Sequence, residues 1–246
     1  MKKALLFYRT MKRTQTSIHS RLSGLFSFFS DLKSYKNLKA NSAFALRDEN
    51  LKPMIFDKTT NTPVDPVYFY QDAWCAKKIF ENKPTHHTDV ASEAGFIGIV
   101  SQFVPTTMVD IRPVDLRMPG FEFKTGDVTH LPFPDNSIES LSSICVIEHI
   151  GLGRYGDPLD QFGSEKSAEE LKRVLKPEGN LYISVPIDRE SRIYFNAHRA
   201  FTREHVLKLF LPLSLVEEKY IYKRDLFDLY DPERGFGTGL YHFKKQ

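Results

Sequence analysis

The chain has 246 residues, 41% of them hydrophobic and 26% charged, with a net charge of +3 and only two cysteines. That length holds one large domain, or one domain with an extension, and the composition excludes a disordered chain. Cys75 and Cys145 cannot make a disulfide framework and read as buried thiols in a reducing compartment, and no stretch reaches the ~20 apolar residues that a spanning helix needs.

The first nine residues, Met1 to Arg9, hold an apolar run of five residues with no small-residue cleavage site after it, so no signal peptide is expected. Residues 1–40 carry nine Lys or Arg and one acid, Asp31, which makes this arm +8 and leaves the remainder at −5. An anionic surface or substrate is one partner for such an arm; a solvated leader is the other reading. Ile18, Leu22, Leu25, Phe29 and Leu32 recur at helical spacing, which predicts an amphipathic helix over 17–33, with Phe26 and Phe28 widening its apolar face. Residues 39–67 are rich in turn formers. Phe69, Ala73, Ala76 and Phe80 then mark a second helix, and residues 1–83 together form a basic, helical extension.

Beyond Pro84 short strands and helices alternate. Strands are expected at 85–90, 107–110, 121–125, 138–147, 181–185, 215–222 and 239–243, and helices at 96–103 and 202–210. Another helix is expected to open at Ser167 with a capping box closed by Glu170 and to stop at Pro177 and Gly179. This rhythm predicts an α/β domain over 84–246, with a mainly parallel sheet covered on both faces.

Open parallel sheets bind ligands beyond the carboxyl ends of their strands. Asp89 ends the first strand here and leads through Ala91, Glu93 and Gly95 into a helix start with free N–H groups. Asp110 ends the second, where a carboxylate can accept both hydroxyls of a ribose. Asp127 follows the third, at the height where a purine amine would donate to it.

These positions lie in a run that resembles a known family. Residues 126–137, from Gly126-Asp127-Val128 to Asp135-Asn136-Ser137, are similar to the third-strand motif of class I S-adenosylmethionine-dependent methyltransferases. Ile147-Glu148-His149-Ile150 and 171–179 match the same superfamily in the same order, and the resemblance covers roughly 85–220. Within it, Ile111-Arg112-Pro113, residues 151–160 and Asn196-Ala197-His198-Arg199 are similar to a domain of unknown function first defined from nematode proteins. The resemblance implies a three-layer Rossmann-like methyltransferase fold with a seven-stranded, mainly parallel sheet behind an N-terminal helical extension. It implies S-adenosylmethionine as cofactor, held by Asp89, Ala91, Glu93, Gly95, Asp110, Ile111, Asp127 and Val128. The sequence departs from the pattern in the first loop, where Ala91 and Glu93 replace two of the three glycines. Alanine is tolerated there if its φ is negative, whereas Glu93 brings a side chain to a place that the cofactor needs open, unless it turns outward or pairs with the cofactor's positive charge.

Methyl transfer needs alignment first, and a base only if the acceptor must lose a proton. His149 is the leading candidate base, with Glu148 beside it; a structural hydrogen bond is the other reading of His149. The glycine-rich loop 151–157 reads as substrate-facing or as architectural. In the first case Arg154 is an anion contact, Tyr155 a stacking surface and Asp157 a further candidate, with His198 and Arg199 following the fifth strand. Neither a metal-ligand spacing, a phosphate-binding loop, a nicotinamide fingerprint nor a nucleophile elbow occurs, and the basic arm lacks the aromatics of a nucleic-acid platform. The expected function is therefore methylation of a small-molecule or carbohydrate-like acceptor, associated with surface-glycan pathways through the resemblance alone. A methyltransferase-like binding or scaffold protein is the alternative. A cytoplasmic location is expected, with peripheral membrane contact through the basic arm.

Overall fold

The computed structural model describes residues 2–39, 41 and 43–246, with side chains described from Ile18 onward. The side chains of Lys2, Lys3, Arg9, Lys12 and Arg13, which supply much of the basic arm, lie outside the described residues. The chain divides into two compact units, Met1–Val64 and Asp65–Gln246.

In the first unit, α1 runs over Lys2–Lys36. Gly24 is required on this helix because a Cβ there would come within 2.6 Å of the Ile55 carbonyl oxygen. The Ile55 segment therefore lies directly on the helix backbone. Lys36 pairs with Asp48 and Lys58 with Asp31, at 3.1 and 3.0 Å. Both pairs are exposed and so contribute little. Leu25, Phe28 and Leu32 are half-buried, while Ile18, Leu22, Phe26 and Phe29 stay exposed. Among the described residues no helix is long and apolar enough to cross a membrane.

The second unit begins with α2, Pro66–Asn82, which therefore belongs with the sheet. Asp65 caps it by accepting from Val67 and Tyr68 N–H, and Pro66 starts the first turn, where its missing N–H costs nothing. Then follow β1 (His87–Val90), α3 (Ala94–Val100), β2 (Thr106–Asp110), β3 (Phe121–Thr125), β4 (Ile138–Ile144) and α4 (Gly163–Val174). After these come β5 (Leu175–Ile187), a short hairpin of β6 (Arg192–Tyr194) and β7 (His198–Ala200), α5 (Arg203–Leu209), β8 (Ser214–Tyr222), β9 (Asp225–Phe227) and β10 (Gly237–Lys244).

The main sheet has eight strands in the order β3-β2-β1-β4-β5-β10-β8-β9. The first five are parallel, and β10 pairs antiparallel with both β5 and β8. Trp74, Cys75 and Ile79 of α2 and Phe96, Ile97 and Val100 of α3 pack on one face against Met108, Ile144 and Tyr182. Ala168, Leu171 and Val174 of α4 and Val206 of α5 pack on the other, against Val109, Leu141, Ile183 and Val185. The result is the three-layer, mainly parallel arrangement expected of the sequence, with eight strands in place of seven. The additional strand, β9, is three residues long and pairs at the tight turn around Lys223, whose φ is 56°. Three residues are too few for an alternation to register.

The capping box expected at Ser167 does not form. The helix starts four residues earlier, and the Ser167 hydroxyl donates to the Gly163 carbonyl one turn back, at 2.6 Å. Glu170 instead accepts from Leu131 N–H and pairs with Arg173, tying α4 to the loop after β3. Pro177 and Gly179 fall inside β5, and the helix gives way to that strand directly at Leu175.

Candidate functional site

The strand order reverses between β1 and β4, and a ligand crevice belongs beyond such a reversal. A cavity of 520 Å³ lies there, inside the range of small-molecule sites. Its floor is the ends of β1 and β4, Val90-Ala91 and Cys145-Val146. Residues 109–112 after β2 and 126–129 after β3 line one side, and the loop running from His149 to Asp160 lines the other.

Of the residues expected in the first loop, only Ala91 reaches the cavity wall. Asp89 is fully buried and accepts from Ser92 N–H at 3.0 Å, from Ser92 Oγ and from Ser142 Oγ. Burial pushes its carboxyl up to about 6 against those hydrogen bonds. Asp89 thus fixes the turn rather than facing a ligand. Glu93 turns away from the cavity and caps α3, its carboxylate accepting from Phe96 N–H at 2.9 Å. Gly95 makes room for that fold, since a Cβ there would meet Glu93 Oε2 at 2.8 Å. The open space that the glycine substitution placed in question is therefore not filled by Glu93.

The condition under which alanine is tolerated here, a negative φ, is not met: Ala91 has a φ of +58°. An L-residue in that region carries about 1–2 kcal/mol of steric cost, which is why a glycine suits the position. Ala91→Gly is accordingly expected to stabilise the fold by about 0.5–1 kcal/mol after the added unfolded-state entropy is deducted. A lowered urea midpoint in this variant would contradict the assignment of strain.

Asp110, 5% exposed, stands at the end of β2. It accepts from Arg112 N–H at 2.7 Å and pairs with the Arg112 guanidinium at 3.3 Å. Ile111 and Val128 supply apolar walls, one exposed and one buried. Asp127 accepts from Thr129 N–H and Oγ1 through one oxygen, both at 2.8 Å.

At the end of β4, Glu148 is 1% exposed and its Oε2 has no hydrogen-bond partner among the described residues. Burial pushes its carboxyl up to about 8, so it keeps its proton near neutrality. His149 lines the cavity, and its Nδ1 lies 2.6 Å from the Ala197 carbonyl. A carbonyl only accepts, so Nδ1 carries the hydrogen and Nε2 is bare; Nε2 lies 3.5 Å from Glu148 Oε1. Burial pulls the imidazole down to about 4. Cys145, with φ of +54°, sits between this pair and α2, donating to Gln71 Oε1, which also accepts from Ser184 Oγ.

The glycine-rich loop is knitted by Asp157, whose carboxylate accepts from the backbone N–H of Gly151, Gly153 and Tyr155. Burial would raise Asp157, and those N–H groups hold it below the ordinary value. Arg199 is buried at the base of this loop and spends its guanidinium on the carbonyls of Ile150, Asp160 and Gln161 and on Ser164 Oγ. It braces the loop instead of offering an anion contact. Tyr155 lines the cavity, and Arg154 stands against its ring at 5.0 Å and donates to the Ala197 carbonyl at 3.0 Å. His198 is half-buried and packs its ring 6.4 Å from that of His149.

Sequence reasoning missed Arg112, Cys145 and Gln71 as site residues. Arg112 stood in the motif around Asp110 and was legible there. Cys145 and Gln71 carried no signal, because an apolar run hides a positive φ and a helix face does not name its partner.

Residues 130–222 match the model of the family described as "Caenorhabditis protein of unknown function, DUF268". No curated protein is significantly similar to the chain in sequence. Among solved structures, the chain is similar to the N-methyltransferase NodS from Bradyrhizobium japonicum WM9 in complex with S-adenosyl-L-homocysteine. The two are 12% identical with a TM-score of 0.55, over 78% of this chain and 91% of that one. It is also similar to a 1,6-didemethyltoxoflavin-N1-methyltransferase from Burkholderia thailandensis, at 14% identity and a TM-score of 0.51, over 76% and 93%. The 4+2 cyclase SpnF shares the fold at 15% identity and a TM-score of 0.55, over 71% and 79%. At these identities the likeness establishes the class I methyltransferase fold, and a cyclase on that fold shows that the fold alone does not fix the reaction.

Proposed function

From the class I methyltransferase fold and the match to the nematode-defined family, we propose that this chain is an S-adenosylmethionine-dependent methyltransferase. Its acceptor is a small molecule or carbohydrate-like compound of the kind used in surface-glycan biosynthesis. The observation that carries the reading is the cavity itself, which runs without interruption from Asp110 and Asp127 to His149 and Tyr155.

The residues present fit the cofactor. Four aspartates and one arginine line the cavity, an acidic balance suited to a ligand that carries a sulfonium charge. Asp110 would take the ribose hydroxyls once Arg112 yields, Ile111 and Val128 would flank the purine, and the free oxygen of Asp127 would face its amine. When bound, the cofactor supplies an activated methyl group. The chain supplies position and proton handling: Nε2 of His149 accepts a proton from an acceptor, and Glu148 beside it stabilises the resulting charge when ionised. A row of rings continues from the mouth, Tyr155 to His149 at 5.5 Å, His149 to His198 at 6.4 Å and His198 to the half-exposed Phe236 at 5.6 Å. These rings meet at angles of 40° to 83° and present single faces and edges against which an acceptor ring could lie.

Titration with S-adenosylhomocysteine tests the cofactor reading, and transfer of a labelled methyl group to a pool of sugar nucleotides and oligosaccharides tests the acceptor. Asp110→Ala is expected to weaken S-adenosylhomocysteine binding about tenfold to a hundredfold, as loss of hydrogen bonds to a charged group implies. Unchanged affinity would refute the ribose assignment. A non-catalytic binding role is the second reading, favoured by the ion pair that already occupies Asp110. A folded chain that neither binds S-adenosylhomocysteine at millimolar concentration nor transfers a methyl group would support it.

A further inference from the structure

The mouth of the cavity is basic where its interior is acidic. Tyr155 is flanked by two guanidiniums, Arg112 with its Cζ 4.5 Å from the ring centroid and Arg154 at 5.0 Å. Among the described residues no carboxylate lies within ion-pair distance of Arg154. It donates to the Ala197 carbonyl at 3.0 Å, whereas His149 Nδ1, 3.4 Å away, carries its own hydrogen and cannot accept from it. The charge of Arg154 also acts on both neighbouring imidazoles, His149 and His198, which burial first and Arg154 next hold below the ordinary value. An uncompensated guanidinium beside two neutral histidines, stacked on a ring at the rim, calls for an anion.

Arg112 differs in having a counter-charge, the Asp110 carboxylate. That carboxylate is the group assigned above to the ribose. A ligand that claims Asp110 releases Arg112, whose side chain is 57% exposed and already lies against Tyr155. Two guanidinium forks then lie against the same ring, within reach of one ligand, and such forks match the paired oxygens of a carboxylate or phosphate.

We propose that the acceptor carries an oxyanionic group bound by Arg154, and that Arg112 joins it only after the cofactor has taken Asp110, so that cofactor and acceptor bind in that order. The Arg112 step rests on the methyltransferase reading; the Arg154 site does not. The two ligands couple through one shared arginine, and the coupling is reciprocal.

The test is a titration of the full chain with methyl phosphate and, separately, with acetate, in the presence and absence of saturating S-adenosylhomocysteine. The wild type is expected to bind at least one of the two probes, and severalfold more tightly with S-adenosylhomocysteine present. Arg154→Gln should weaken that binding by about tenfold or more under both conditions, while retaining its melting temperature and its S-adenosylhomocysteine affinity. Arg112→Gln should remove the gain that S-adenosylhomocysteine brings, and by freeing Asp110 it should not weaken S-adenosylhomocysteine binding itself. The stronger of the two probes names the group. Absence of binding by both probes, or equal binding by Arg154→Gln, would overturn the anion site. An unchanged gain in Arg112→Gln would overturn the ordering. If S-adenosylhomocysteine itself fails to bind, the methyltransferase reading and the ordering fall together, and the Arg154 comparison without it still decides the anion site.

Discussion

Glu148→Gln is expected to flatten the pH dependence of stability and to leave the variant more stable than the wild type above about pH 8. Glu148 is pushed from its ordinary value of 4.5 up to about 8 by burial. Between those values the folded chain keeps the proton that the unfolded chain releases, so the wild type loses stability as pH rises through that window. A shift of that size corresponds to an upper bound on the order of 5 kcal/mol, fully expressed above pH 8 and absent below pH 4.5. Gln cannot ionise, so this loss disappears. Its amide can donate to the bare Nε2 of His149, and an imperfect fit there would cost about 1–3 kcal/mol. His149 works in the opposite sense. Held down at about 4, it adds stability as pH rises from 4 to 6.5, in wild type and variant alike. Urea melts at a series of pH values from 5 to 9 would separate the two contributions. Asp89 and Asp72, each raised to about 6 by burial, keep a decline below pH 6 in both proteins, so a variant that keeps the decline between pH 6 and 8 would show that the proton sits elsewhere. If methyl transfer needs the pair to take a proton, the wild-type rate should also rise toward pH 8, and the variant rate should not.

Gly151→Ala is expected to cost about 3 kcal/mol, from overpacking and strained backbone together, and to disorder the mouth of the cavity. Its φ is +82°, and a Cβ would stand 2.0 Å from the Asp160 carbonyl oxygen, so backbone must move. The contact closes a ring: Asp160 N–H donates to the Gly151 carbonyl, Gly151 N–H to Asp157, and Arg199 to the Asp160 carbonyl. Moving either strand of the loop displaces Asp157 and with it Tyr155 and the guanidiniums stacked on that ring. Thermal melting checks the stability, and proteolysis at 151–160 checks the loop. A melting temperature within a degree of wild type would contradict this geometry.

Much of the fold was legible because alternation of short strands with amphipathic helices leaves a period that a sequence displays. The strand-end aspartates at 110 and 127 were legible for the same reason, since a strand end fixes where its next side chain points. Asp89 was placed at its strand end but not given its task, because the hydroxyls of Ser92 and Ser142 that hold it come from a turn and from another strand. Glu93 read as an obstruction because spacing shows that a carboxylate is present without showing that Phe96 N–H captures it. Arg199 read as an anion contact because an arginine in a loop motif looks free until the carbonyls of Ile150, Asp160 and Gln161 are brought to it. The positive φ of Ala91 and Cys145 was invisible, since neither residue type announces it. What local spacing dictates could be read; what depends on long-range hydrogen bonding could not.

Calorimetric titration of the full chain with S-adenosylhomocysteine bears most directly on the proposed function. Saturable binding at one site below millimolar concentration, weakened at least about tenfold by Asp110→Ala, is the predicted result. Neither heat nor thermal stabilisation at millimolar ligand would contradict it and leave the fold without the cofactor it resembles a holder for.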